Sequence, residues 1–198
     1  MEWFKYNIND LSFADYEKWF SLMTGEKKEK VNRMRLEDDK KRSVIGEMLV
    51  KKAISKNSGV SFEKIVFNVT PNGKPYIENS DIHFNISHCE DWVVCAIHNK
   101  SIGIDIEKIR PINFKIAKRF FTPNEQKYVF SKVPTEEDFE KTHDNQVLKR
   151  FFEVWTGKEA YLKYKGTGIT DNLNALYVNE NNLITEYFDN YIVRIYTE

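Results

Sequence analysis

Two carboxylates, Asp105 and Glu107, stand two residues apart in the otherwise apolar run "IGIDIEKIR" (Ile102–Arg110). Side chains alternate across a strand, so Asp105 and Glu107 share one face and Ile104 and Ile106 the other. Like charges side by side repel unless the face is wet, is met by basic groups, or holds a cation. Further along, "WTGKEAYLK" places Glu159 four residues after Trp155 and four before Lys163, so one side of a helix projects all three. A strand Asp-x-Glu with one helix Glu suits a hard cation such as Mg²⁺, which takes a few carboxylate oxygens and leaves positions for water and phosphate. Phosphate chemistry also needs positive groups. "NGKP" presents Lys74 on a turn, and "NISHCED" puts Ser87 and His88 at a strand end, where hydroxyl, imidazole and backbone N–H groups can meet an anion.

Each feature has a plainer reading. Glu159 and Lys163 fit an intrahelical ion pair, and Asp105 with Glu107 fits a solvated strand face. A lone histidine, a lysine in a turn and the basic cluster around Lys27, Lys28, Lys30, Arg33 and Arg35 are each ordinarily structural or solvated. The chemistry becomes the better reading only when these groups meet.

The elements that must bring them together are both helical and extended. A strand around Trp3–Ile8 is followed by the amphipathic "LSFADYEKWFSLM" and by a long helix over "RSVIGEMLVKKAIS", ending near Gly59. "KIVFNVT" predicts a strand, "PNGKPYI" a turn, and "IHFNIS" with "WVVCAIHN" two strands with a bend at Ser87–Asp91. "SIGIDIEKI" returns as a further strand. In the second half, Thr122, Pro123 and Glu125 form a helix-start signature. "KVPTEEDFEKTHDNQ" reads as an exposed connection or helix start, and "VLKRFFEVWTGKEAYLKYKG" as a strong helix ended by Gly166. Strands follow around Leu176, Leu183–Phe188 and Tyr191–Tyr196. Helices followed by strands thus occur twice, which predicts an α+β chain with two halves alike in element order.

Composition narrows the function. The 198 residues are 41% hydrophobic, enough for a sizeable core, and 30 basic residues balance 30 acidic ones. No global field would draw such a chain to nucleic acid or an anionic membrane, so any anion must be held locally. The N-terminus lacks a basic and apolar leader, and no apolar run approaches membrane-spanning length. Cys89 and Cys95 are too few for a disulfide framework and lack metal-ligand spacing, which predicts reduced thiols and a cytoplasmic protein.

Taken in order and spacing, "GKP", "FNISH", "WVVCAI", "IGIDIE", "FFTPNE" and "WTGKEAYLK" resemble the 4′-phosphopantetheinyl transferases of the surfactin-synthetase type, from about Gly25 to Gly168. The resemblance implies an enzyme that moves the phosphopantetheine arm of coenzyme A onto a serine of an apo acyl, peptidyl or aryl carrier protein, releasing 3′,5′-adenosine bisphosphate. It also implies a pseudo-dimer of two α+β halves, here residues 1–103 and 104–198. Carried over by residue, Asp105, Glu107 and Glu159 bind Mg²⁺, or Mn²⁺ in its place, with the pyrophosphate. Glu159 helps deprotonate the carrier serine, directly or through a metal-bound water, and Lys163 stabilises the leaving charge. Lys74, Ser87 and His88 hold the nucleotide and its 3′-phosphate, and Lys27, Lys30, Arg42 and Ser43 supply the remaining anion and adenine contacts. Lys158 belongs to the motif with its role open.

Family members continue after the strand corresponding to Tyr191–Tyr196 into one more apolar strand, the second-half counterpart of "WVVCAI", so a C-terminal strand is expected to be missing here. Acidic carrier proteins predict a mixed basic and apolar docking patch drawing on Lys115, Lys118, Arg119 and the helix after Thr122. The doubled halves predict a monomer. Two other functions fit parts of the pattern: a non-catalytic binder of coenzyme A or carrier protein, and a metal-dependent nuclease, against which the zero net charge speaks.

Overall fold

The computed structural model describes residues 1–78, 80–113, 115–131, 144–168 and 173–198. In the first half, β1 (Glu2–Asn7) leads into α1 (Phe13–Ser21), α2 (Gly25–Asn32) and the long α3 (Glu37–Ser58). Ser12 and Thr24 cap α1 and α2 through their hydroxyls, and Gly59, in the left-handed region at φ 69°, ends α3. The short pair β2 (Asn68–Val69) and β3 (Pro75–Tyr76) then precedes the hairpin β4 (His83–Cys89) and β5 (Trp92–His98). Strands order as β1-β5-β4, all antiparallel, with β5 in the middle.

The second half repeats the plan. β6 (Ile102–Lys108), α4 (Lys115–Phe120), α5 (Pro123–Phe130) and the long α6 (Asn145–Lys165) lead to β7 (Leu183–Phe188) and β8 (Tyr191–Thr197). Strand order is β6-β8-β7, again antiparallel with the last strand central. The capping box at α5 is present in both directions, Glu125 N–H donating to Thr122 Oγ1 and Thr122 N–H to Glu125 Oε2.

Alternation sorts the core. Val93, Cys95 and Ile97 of β5 face α3, where they meet Val44, Ile45, Met48, Val50, Ala53 and Ile54. Val94 and Ala96 face the other way and pack with Ile102, Ile104 and Ile106 of β6 and Tyr191, Val193 and Ile195 of β8. The two sheets therefore share one apolar cluster, with α3 outside the first and α6 outside the second. Where β4 passes β6, polar side chains close the seam: Ile104 N–H donates to buried Asn85 Oδ1 at 3.0 Å.

Three expectations change. A division at 103/104 falls inside β6, which pairs along its whole length with β8, so all of β6 belongs to the second sheet. "KIVFNVT" shrinks to the two residues of β2, because its one partner among the described residues, β3, begins with Pro75, which has no N–H to give. No strand forms around Leu176: Leu173–Ala175 is one 3-10 turn, and the carbonyls of Leu173 and Leu176 accept from the buried Lys158 Nζ at 2.7 and 3.0 Å instead of from a neighbouring strand. Lys158 also ion-pairs with Glu125 at 2.9 Å, so it ties α6 to α5 and to the 173–176 segment. Residues 132–143, which hold most of the polar connection, lie outside the described residues.

Candidate functional site

Gly103, Asp105 and Glu107 point from β6 toward α6, opposite the Ile102, Ile104 and Ile106 face. Gly103 is what lets the helix lie there. A Cβ at this position would stand 2.0 Å from Ala160 O and 2.4 Å from Tyr164 N, so only hydrogen fits. That close approach sets Glu159 and Lys163, flanking Ala160 and Tyr164 on α6, against Asp105 and Glu107. Together with Ile86, Ser87 and His88 of β4, and with Ile106 and Trp155, these residues line a cavity of about 440 Å³ between the two halves.

Within it, Lys163 Nζ lies 2.6 Å from Asp105 Oδ1 and 2.7 Å from Ser87 Oγ, and Ser87 Oγ donates to the same Asp105 oxygen at 2.8 Å. The intrahelical pairing of Lys163 with Glu159 therefore gives way to a pairing across the fold. Asp105 is 6% exposed, and its other oxygen, Oδ2, is buried without a hydrogen-bond partner among the described residues. Burial, and then the charge of Asp105, push the carboxyls of Glu107 and Glu159 above the ordinary range. The Cys89 thiol lies 3.7 Å from Glu107 Oε2, and burial raises that thiol to about 11, so it stays protonated. Burial, and then Arg42 and Lys163, hold the His88 imidazole below its usual value, which leaves it neutral near pH 7.

A second cavity, of about 870 Å³, adjoins the first through Ile86 and His88. Lys27, Lys30, Arg42 and Ser43 all line it, with Ile65, Phe67, Val69 and Pro75 as apolar wall. Several of its charges are already paired: Arg33 with Glu29, Arg42 with Asp39, and the buried Lys51 with Glu47 at 3.1 Å. Lys27 and Lys30 have no ion pair among the described residues. Burial also lowers the pKa of the Lys27 ammonium, a strain that an anion would relieve.

Of the residues expected from sequence, Lys74 alone lines neither cavity. Its ammonium goes to the backbone at the end of α6, 2.9 Å from Tyr164 O. The buried Glu47–Lys51 pair, Asn85 and the seam it closes were not expected as site features. The one sequence signal for them is a polar type inside an apolar helix or strand pattern, which also marks many residues without function.

A profile of the N-terminal domain of 4′-phosphopantetheinyl transferases matches residues 11–100, and one of the 4′-phosphopantetheinyl transferase superfamily matches residues 101–193. This chain belongs to the 4′-phosphopantetheinyl transferase superfamily. Individual family members agree. A 4′-phosphopantetheinyl transferase of Bacillus subtilis is 37% identical over 87% of this chain and 73% of its own length. The transferase Sfp of Bacillus subtilis strain 168 is 35% identical over the same shares. The transferase gsp of Aneurinibacillus migulanus is 41% identical over 72% of this chain and 56% of its own. The boundary between the two profiles, at residues 100 and 101, falls just before β6, where the first sheet gives way to the second.

Whether the residues fit a divalent cation can be tested on the cavity itself. An unpartnered buried Asp105 oxygen, facing two carboxylates whose ionisation is disfavoured by burial and by Asp105, is a donor set short of positive charge. Hard oxygen donors of this kind suit Mg²⁺. Among the described residues no three such side chains stand together as an ion-holding group, and Asp105 Oδ1 is engaged by Lys163 and Ser87. The donor types, not their present placement, suit the ion.

Proposed function

We propose that this protein transfers the 4′-phosphopantetheine arm of coenzyme A to a serine of an apo carrier protein. One observation carries the reading: a carboxylate-lined cavity between the halves adjoins a larger one lined by lysines that have no ion pair among the described residues, which is the layout needed by a diphosphate attached to a nucleotide. Lys27, Lys30 and Arg42 would hold the nucleotide phosphates, and neutral His88, which lines both cavities, donates a hydrogen bond where they meet. Glu159, raised by burial, is suited to take the proton of the carrier serine as its oxygen attacks the β-phosphorus. The new serine O–P bond replaces the P–O bond to the adenosine bisphosphate, and Lys163 faces the charge left on that oxygen. Asp105, Glu107 and Glu159 are the residues that would hold Mg²⁺. When bound, it would neutralise the diphosphate and favour in-line displacement.

Both halves of a single chain contribute to the site, which supports a monomer. Two free cysteines, Cys95 buried, support a reducing, cytoplasmic setting. Among the described residues no helix is long and apolar enough to cross a membrane. Exposed Lys115, Lys118 and Arg119 on α4 form the basic part of the proposed carrier surface. Reversing these three charges is expected to weaken carrier affinity, and unchanged affinity would remove that surface.

The deciding experiment is intact-mass analysis of an apo carrier protein incubated with this protein, coenzyme A and Mg²⁺. The expected result is a gain of one phosphopantetheine arm, absent with a chelator. No gain with several carriers, while coenzyme A still binds, would make the protein a binder only.

Cation binding should also show in stability. Because the folded-state values of Glu107 and Glu159 are raised, the folded protein holds these protons more tightly than the unfolded chain. Their contribution is full below the unfolded carboxylate range, about pH 4, and is lost as pH rises through the raised values. Mg²⁺ compensates the ionised forms alone. Its effect on Tm, measured against a chelator, is therefore expected to be larger at pH 7.5 than at pH 5, and an equal or reversed difference would count against this site.

A further inference from the structure

β4 and β6 meet at the candidate site but belong to different sheets, so among the described residues no backbone ladder joins them. Side chains join them instead. Alternate residues of β4 face β6 and meet it at successive points: Ile104 N–H donates to Asn85 Oδ1 at 3.0 Å, Ser87 Oγ donates to Asp105 Oδ1 at 2.8 Å, and Cys89 Sγ lies 3.7 Å from Glu107 Oε2. β6 is an edge strand of its sheet, with β8 on one side. An edge N–H sealed from water without a partner is costly, and the Asn85 amide supplies the acceptor that a neighbouring strand would present. Both ends of this bond adjoin the site, since Ile104 directly precedes Asp105 and Asn85 stands two residues before Ser87 and three before His88. Asn85 itself is buried and lines neither cavity, whereas Ile86, Ser87 and His88 all line the smaller one.

We infer that Asn85 is a positioning residue: its amide docks on the open edge of β6 in place of a strand and fixes the register of β4 against β6, so that Ser87 meets Asp105 and His88 faces the same cavity. The consequence for catalysis rests on the transfer reaction proposed above, though the docking itself does not. A slip of β4 along β6 would pull Ser87 away from both Asp105 and Lys163, and misplacement on the 1 Å scale costs about 100-fold in rate.

The test uses the full chain and compares wild type with Asn85→Leu, which keeps the size and removes the acceptor, and Asn85→Asp, which keeps an acceptor at the same reach. Ser87→Ala is made alone and together with Asn85→Leu, and Leu11→Ala, in the core beneath α1, serves as a control for lost stability. The readouts are amide hydrogen exchange at Ile104 beside Val193 of β8, kcat for transfer to an apo carrier, and Kd for coenzyme A. For Asn85→Leu the expected result is exchange at Ile104 about 10-fold faster beyond any change at Val193, kcat lower by about 10- to 100-fold, and Kd within about threefold of wild type. Ser87→Ala should cost less beside Asn85→Leu than in wild type, because the contact it removes is already lost. Asn85→Asp recovers protection at Ile104 and part of kcat, while Leu11→Ala lowers Tm with kcat within about twofold of wild type. If Asn85→Leu does not fold, Asn85→Ser, one bond shorter, carries the same comparison. Fully additive losses for Asn85→Leu and Ser87→Ala, or a loss of kcat no greater than that of Leu11→Ala at equal Tm, would make Asn85 a structural residue only and overturn the inference. Weaker coenzyme A binding at unchanged kcat and unchanged exchange would make it a ligand contact and overturn it equally. If wild type transfers nothing to any carrier, the proposed function fails, while exchange at Ile104 still decides the docking, which an unchanged rate in Asn85→Leu would overturn.

Discussion

Gly103→Ala is expected to lower Tm by about 10 °C, or to leave the protein unable to fold, and to remove transfer activity in whatever folds. The added methyl would meet backbone, Ala160 O at 2.0 Å and Tyr164 N at 2.4 Å, so no rotamer change can relieve it and α6 must lift from β6. Overpacking of this kind costs about 3 kcal/mol or more, and a chain of this size loses about 2–4 °C per kcal/mol. Lifting α6 also separates Glu159 and Lys163 from Asp105, so activity falls further than stability. The control is Gly25→Ala at the start of α2, where a Cβ has nothing within 4 Å; it is expected to be neutral or slightly stabilising. Thermal unfolding and the carrier mass assay on both variants decide it. Equal, small effects at the two glycines would show that α6 does not depend on the contact.

Glu159→Gln should move activity and stability in opposite directions. Loss of the carboxylate proposed to take the serine proton is expected to lower transfer by about 10²–10⁴-fold. In a chelator at pH 7.5, the same variant is expected to be more stable than wild type by a few degrees in Tm. Burial and the charges of Asp105 and Glu107 penalise ionised Glu159 more than Lys163 rewards it, and the neutral isostere escapes that penalty. Solvent reaches part of this side chain, so the gain is of the order of 1 kcal/mol. It should shrink toward pH 4.5, where wild-type Glu159 takes up its proton. A lower Tm for Glu159→Gln at pH 7.5 would mean that Glu159 acts chiefly as a partner of Lys163 and that its carboxylate is not held at a cost. Sites that bind a substrate and its counter-ions commonly carry such a cost until they are filled.

Much of this site was legible in the chain because local periodicity carries it. Two residues along a strand return a side chain to the same face, so Asp105 and Glu107 had to be neighbours once Ile102–Lys108 was extended. Four residues along a helix do the same for Trp155, Glu159 and Lys163. Thr122, Pro123 and Glu125 specify a helix start through hydrogen bonds made within one turn, and that start is where it was expected. Motif order and spacing went further and led to the family, through likeness to other chains and not through physics.

What periodicity could not reach were choices between partners distant in sequence. Lys163 had Glu159 one turn away and took Asp105 and Ser87, because close packing of α6 on Gly103 brought the buried Asp105 carboxylate within reach of its ammonium. The Lys74 ammonium reaches the carbonyls of Ile102 and Tyr164, 28 and 90 residues further along the chain, where no local rule places them beside its turn. Lys158 drew the carbonyls of Leu173 and Leu176 out of a strand, since a buried ammonium must be satisfied before a weakly specified edge is paired. The sequence by itself therefore determined the two α+β halves, the faces of β6 and α6 and the types of group available for chemistry. Only the tertiary structure decided which cation serves which anion, because those pairings depend on burial and on distances set by one glycine between a strand and a helix.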